Sequence, residues 1–202
     1  MQENILIESF KLFHQFGVKS VTMDDIAKKL SISKKTLYKH FSNKKELVFH
    51  IMQMQIKGTE SRCKDMFSKA DNAIHELFLI REMVKKIFHN MNPSLLYDIQ
   101  KYHPKTWKLM EEHQNGFIRD TIADNLQKGI DEGLYRESLD INILTKLRLE
   151  EMKASFNIEI FSPLEYNIEQ VQIVMMEHFI LGVTTLKGHE VGIEYQKKLR
   201  NP

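Results

Sequence analysis

Between Lys28 and Lys45 the chain carries seven lysines and no carboxylate. Thr36, Tyr38 and His40 are interleaved with them. Ammonium groups at this density displace the counterions of a polyanion. Lysine can also donate to guanine O6 and N7, and threonine or tyrosine to phosphate oxygens. The same charges could coat a solvated helix face, so charge alone leaves both uses open. The net charge of +2 conceals an asymmetry. Residues 1–50 hold nine lysines against Glu3, Glu8, Asp24, Asp25 and Glu46, so the rest of the chain is net negative.

No other constellation points to catalysis. His75-Glu76 opens a zinc-protease pattern, but Leu79 stands where its second histidine is needed. There is no Cys-x-x-Cys, no phosphate-binding glycine loop and no Gly-x-Ser-x-Gly. His75, His89, His103, His113, His178 and His189 are scattered over the chain. We expect no enzyme, no catalytic residue, no cofactor and no metal. The single cysteine, Cys63, excludes an internal disulfide and suits a reducing compartment. The N-terminus lacks the basic segment of a signal peptide, and the apolar runs are too short to span a bilayer. A cytoplasmic protein with no membrane partner is expected.

The 202 residues, 42% of them hydrophobic, can bury a core, and four prolines with eight glycines favour long helices. Leu6, Phe10, Phe13 and Phe16 recur at helical intervals before Gly17, predicting a helix over 3–16. Thr22, with Asp25 three residues on, predicts the cap of a short second helix carrying Ile26, Ala27 and Leu30. Ser31-Ile32 reads as a tight break. Ser33 is placed to cap a third helix running to about His40, with Leu37 and Phe41 inward. Asn43 with Glu46 predicts the start of a fourth. Two short helices joined by a tight turn and backed by a first describe a helix-turn-helix. Ile32, Leu37 and Phe41 then anchor a helix whose outer surface carries Lys34, Lys35, Thr36, Tyr38, Lys39 and His40. Thr22 and Lys44 lie at helix N-termini, which favour phosphate.

The stretch GVKSVTMDDIAKKLSISKKTLYKHFSNKKEL, from Gly17 to Leu47, resembles the DNA-binding domain of TetR-family transcriptional regulators. The shared positions are Gly17, Thr22, Ile26-Ala27, Ile32-Ser33, Thr36-Leu37-Tyr38, Phe41, Lys44 and Leu47. Two positions depart from the family pattern. Leu30-Ser31 replaces a common Ala-Gly, which predicts a slightly different turn. Lys35 replaces a small residue and adds charge to the reading surface.

The resemblance implies an all-α homodimer, with a DNA-binding domain over 1–46 and a helical effector-binding and dimerisation domain over 47–202. Its DNA-contact residues would be Thr22, Ser33, Lys34, Lys35, Thr36, Tyr38, Lys39, His40 and Lys44. Its effector would be a small, mainly apolar molecule. Candidates for the pocket wall are Phe78, Phe88, Trp107, Met110, His113, Phe117, Met152 and Phe156, all of which can also serve as core. The chain after 44 reads as helices over 44–68, 71–90, 94–102, 105–132, 140–157 and 165–186. In the family the last helices dimerise, which maps the interface onto Val171, Met175, Phe179, Gly182 and Val183. The implied function is a ligand-released regulator, most simply a repressor, on a palindromic double-stranded operator. The alternative is a sequence-nonspecific DNA-binding or protein-docking helical module without small-molecule control.

Overall fold

The computed structural model describes the backbone of residues 1–200 and the side chains of residues 1–197. Eleven α-helices are described: α1 (Gln2–Phe16), α2 (Met23–Lys29), α3 (Lys34–His40), α4 (Lys44–Phe67), α5 (Ala73–Phe88), α6 (Ser94–Tyr102), α7 (Pro104–His113), α8 (Arg119–Asp131), α9 (Ile141–Ala154), α10 (Ile168–Val183) and α11 (Leu186–Arg200). A π-helical segment, Gln114–Ile118, stands between α7 and α8. Among the described residues, the one β-type pairing is an isolated bridge between Tyr135 and Thr184. The expected all-α class is therefore found. The expected helix over 105–132 is three segments, and the expected last helix ends at Val183, with α11 added beyond it.

The chain forms two compact units. The first comprises Met1–Glu60 and Asn90–His113, and the second Ser61–His89 and the chain from Gln114 on. The boundary expected after residue 46 falls in the first turn of α4, and the first unit also takes in α6 and α7.

The first unit buries Ile5, Phe13, Val18, Ile26, Leu37, Phe41, Leu47 and Ile51 with Leu95 and Ile99 of α6. Phe16, expected inward, is 50% exposed; Ile5 occupies the core instead, because the buried stripe lies one register step away. Gly17 ends α1 with φ 81°, a conformation glycine adopts without strain. A Cβ there would also meet Ser94 Oγ at 2.3 Å. Asp98 of α6 is 4% exposed. Its carboxylate accepts the main-chain N–H of Lys19 at 2.7 Å, tying α6 to the α1–α2 turn.

The second unit buries Ile74, Leu77, Phe78, Leu126, Leu134, Tyr135, Met176, Ile180 and Val183. A polar network crosses it. Asn125 Nδ2 donates to Glu76 at 2.8 Å and to the Ala73 carbonyl at 2.9 Å. Lys128 donates to the other Glu76 oxygen at 2.6 Å, and the Tyr135 hydroxyl donates to Asn125 Oδ1 at 3.0 Å. Burial, with Glu76 and Glu132 nearby, pushes the Tyr135 phenol well above its ordinary pKa, so it stays a neutral donor. The buried Glu76 carboxylate thus has partners on both oxygens, as a buried charge requires.

A candidate nucleic-acid interface on the first unit

The outward surface of α3 is built from both ends. Thr22 caps α2 in a full capping box: its hydroxyl accepts from the Asp25 N–H at 3.1 Å, and Asp25 accepts from the Thr22 N–H at 2.8 Å. The hydrogen bonds from the Thr22 hydroxyl and N–H hold the Asp25 carboxyl below its usual range. The α2 helix then closes in a Schellman arrangement: Ser31 N–H bonds to the Lys28 carbonyl, and Ile32 N–H to the Ala27 carbonyl. Ser31 holds φ 55° there, the left-handed position that usually takes glycine. The turn at Leu30-Ser31 thus has a standard hydrogen-bond pattern, with serine tolerating the strained site.

Ser33 caps α3, its Oγ accepting from the Thr36 N–H at 3.0 Å. Leu37 is fully buried on the inner side of α3, and Phe41 is 1% exposed. These anchors leave Lys35, Tyr38 and Lys39 exposed and Thr36 and His40 on the rim of the same surface. Lys34 is exposed, but its ammonium pairs with Asp24 of α2. The Ser33 and Thr36 hydroxyls bond each other at 2.8 Å. The nine residues expected to contact DNA therefore all lie on α2, α3 and their caps, or at the start of α4.

That start is capped as the sequence predicts: the Glu46 N–H donates to Asn43 Oδ1 at 3.0 Å. Glu46 reaches back to the Ser42 hydroxyl at 2.6 Å and to its N–H at 2.7 Å, which lowers the Glu46 pKa. Lys44, half-buried, has its ammonium 3.4 Å from the Lys19 carbonyl and 5.8 Å from the Phe13 ring centre. Burial lowers its pKa, against the pull of Asp98 and Asp25.

The expected pocket residues are divided between the two units. Trp107 and Met110 pack against the core of the first unit. His113 Nδ1 lies 3.0 Å from Glu60, also in the first unit. Phe78, Phe88, Phe117, Met152 and Phe156 belong to the second. The α7 stripe is apolar because it packs on the first unit's core, a demand the sequence does not separate from ligand binding. Phe78 is 5% exposed, packs beside Tyr195 and borders a groove of about 100 Å³ with Ile180, Gly188 and Ile193. That is below the roughly 300–1,000 Å³ of ligand pockets. Phe88 and Phe156 do meet, ring centres 5.6 Å apart.

The residues expected at the dimer interface lie at different depths on α10. Val171 is 7% and Val183 1% exposed, so both serve the interior of the second unit. Met175 and Phe179 are half-buried, and the Arg148 guanidinium lies 5.4 Å over the Phe179 ring. Gly182 is exposed, with open space around a notional Cβ. The apolar residues facing outward on α10 are Val174 and Leu181, at 56% and 58% exposure. Because α10 is apolar on nearly every side, its periodicity does not say which side meets the core.

Among the described residues no cluster of three metal-ligating side chains occurs, and no helix is long and apolar enough to cross a membrane. The sequence reading missed Asp24 as the partner of Lys34 and Asp98 as the anchor of the α1–α2 turn. Neither leaves a local signal, since one pairing joins two helices and the other joins α6 to the distant α1–α2 turn.

Residues 5–51 match the family described as bacterial regulatory proteins, tetR family. The uncharacterised HTH-type transcriptional regulator YvaF of Bacillus subtilis is 31% identical over 61% of this chain and 63% of its own length. The chain thus matches less than two thirds of that relative. The HTH-type transcriptional repressor KstR2 of Mycobacterium tuberculosis is 26% identical over 66% of this chain and 68% of its own. The solved structure of KstR2, a ketosteroid transcriptional regulator, superposes with a TM-score of 0.61 at 20% identity, covering 91% of this chain and 95% of that one. A transcriptional regulator of Saccharomonospora viridis in complex with choline gives 0.68 at 18% identity, covering 91% and 97%. On the helix-turn-helix, its capped turns and these likenesses together, residues 5–51 are a DNA-binding domain of the bacterial regulatory proteins, tetR family, and the chain has the fold of the regulators it superposes on.

Proposed function

We propose that this protein is a cytoplasmic, homodimeric repressor of a two-fold symmetric operator, released by a small and mainly apolar effector. The observation that carries the DNA half is the division of α3. Leu37 is fully buried, while Lys35, Tyr38 and Lys39 are exposed on the other sides of the same two turns. A helix so anchored fits the major groove and offers donors to base edges. In a symmetric dimer two such helices sit on half-sites about one helical turn apart. Thr22, Ser33, Thr36, His40 and Lys44 hold phosphates on either side, and Lys34 joins them once it leaves Asp24. Residues 1–46 supply the main DNA contacts, and residues 47–202 the effector site and the dimer contact.

The effector half is supported by the aromatic pair Phe88–Phe156 and half-buried Met152 in the second unit. The ketosteroid and choline named for the two structural neighbours belong to those proteins; here they support only the class, a small organic molecule. For self-association, Val174, Leu181 and Gly182 give α10 an exposed strip suited to close helix approach. The effector shifts the population between DNA-competent and released forms by no more than its differential affinity for them.

Sedimentation together with titration of duplex DNA at several salt concentrations tests this function. A dimer whose binding weakens steeply with salt is expected. A monomer at micromolar concentration, or binding indifferent to salt, would refute it.

A further inference from the structure

A row of cations continues from the helix-turn-helix onto α6. The Lys44 ammonium meets the Lys19 carbonyl. The Lys19 ammonium lies 5.4 Å over the Tyr102 ring. The Lys101 ammonium lies 5.6 Å from that ring and 5.2 Å from the Tyr97 ring, and donates to the Tyr97 hydroxyl at 2.9 Å. All of these residues belong to the first unit.

Among the described residues Lys19, Lys44, Lys45 and Lys101 form no ion pair with a carboxylate, as most lysines of this chain do not; what marks the row is that the near neighbours of Lys19, Lys44 and Lys101 are rings, a hydroxyl and a carbonyl. Of the two acids that act on Lys44, Asp98 is buried and already accepts the Lys19 N–H, and Asp25 accepts from the Thr22 N–H and hydroxyl. The outward side of the row is thus positive. The same field, after burial itself, holds His103 below its ordinary pKa through Lys44 and Lys45.

We infer that Lys19, Lys101 and Tyr102 form a second phosphate-contact surface, which grips the backbone of the same duplex beyond the phosphate held at Lys44. The tyrosine rings fix the two ammonium groups without neutralising them. Each ammonium has three donors, and Lys101 turns to the hydroxyls of Tyr97 and Tyr102, so at least one remains for a phosphate. The inference rests on the operator-binding function proposed above. The competing role is mechanical: the lysine–ring contacts would only hold α6 on the α1–α2 turn, and the charge would be incidental.

The test uses the full chain with the duplex recovered by selection from a random library, and a random-sequence duplex beside it. Affinity is measured across a salt series for the wild type, Lys101→Gln, Lys101→Arg and Lys44→Gln, with phosphate-ethylation interference on each. Lys101→Gln is expected to lower the slope of log affinity against log salt by about 0.9 for each phosphate no longer neutralised. One ethylation-sensitive phosphate per half-site should also become insensitive, and Lys101→Arg should restore both signals. The inference is overturned if Lys101→Gln keeps the wild-type slope and ethylation pattern while Lys44→Gln changes them. It is equally overturned if Lys101→Gln alters only the melting temperature. If the wild type shows no salt-dependent binding to either duplex, the operator-binding function itself has failed.

Discussion

Lys34, the first residue of α3, pairs with Asp24 of α2, ten positions earlier. In free protein the most N-terminal lysine of α3 is therefore held by a carboxylate that DNA phosphates must displace. Asp24→Asn should raise affinity for DNA, with a steeper salt dependence, because one more ammonium is free to replace counterions. Both partners are more than half exposed, so the folded state should change by under about 1 kcal/mol. Binding titrations paired with urea unfolding separate the two effects. Unchanged or weaker binding by Asp24→Asn would show that Lys34 does not face the phosphates.

Ser31 occupies the left-handed position of a Schellman turn. Left-handed backbone is costly for a residue with a Cβ, and glycine loses part of that advantage through its freer unfolded chain. Ser31→Gly should stabilise the protein by about 0.5–1 kcal/mol. Thermal and urea denaturation read this directly. A loss of stability would mean that the serine side chain makes a contribution larger than the strain.

Gly129 faces the Tyr135 ring so closely that a Cβ would lie 2.1 Å from a ring carbon. The ring cannot retreat without breaking the hydroxyl bond to Asn125 and opening the Glu76 network. Gly129→Ala should destabilise by about 2 kcal/mol or more, in the range of overpacked cores. Tyr135→Phe, which keeps the ring and drops the bond, should cost about 1 kcal/mol. A neutral Gly129→Ala would show that α8 can shift away from the ring.

His103 is buried, and that burial, with Lys44 and Lys45, keeps its imidazole pKa below the ordinary 6.5. Asp98 opposes the shift but does not reverse it. The unfolded chain then binds the proton more readily than the folded one. The stability His103 contributes is present above about pH 6.5 and lost as pH falls through its folded-state value. Urea unfolding at pH 7.5 and 5.5 should show a smaller drop for His103→Gln than for the wild type. A larger drop in the variant would reverse the sign of the assignment.

The helix-turn-helix is legible in the sequence because its signals are local. Thr22 with Asp25, Ser33 with Thr36, and Asn43 with Glu46 each state a helix start within four residues. Leu37 and Phe41 mark the inner side of α3 because lysines occupy most of the rest. The same logic fails where the outer side is not polar. On α10, Val171 and Val183 look as suited to a partner as Val174 and Leu181, and only the packing of the second unit's core, with Ile180 and Met176, decides. Trp107 and Met110 are ambiguous for a related reason: their aromatic and thioether bulk packs α7 against the first unit's core, a use the sequence does not separate from lining a cavity. Asp98 is invisible in sequence because its partner, the Lys19 N–H, lies 79 residues away.

Selection of bound duplexes from a random library, run on the wild type and on Lys34→Ala with Tyr38→Ala, tests the central claim most directly. Enrichment of an inverted repeat by the wild type, abolished in the double variant, is the predicted result. It would place α3 in the major groove and the protein on DNA as a dimer. Enrichment that survives both substitutions, or no enrichment by protein stripped of bound molecules by unfolding and refolding, would contradict it.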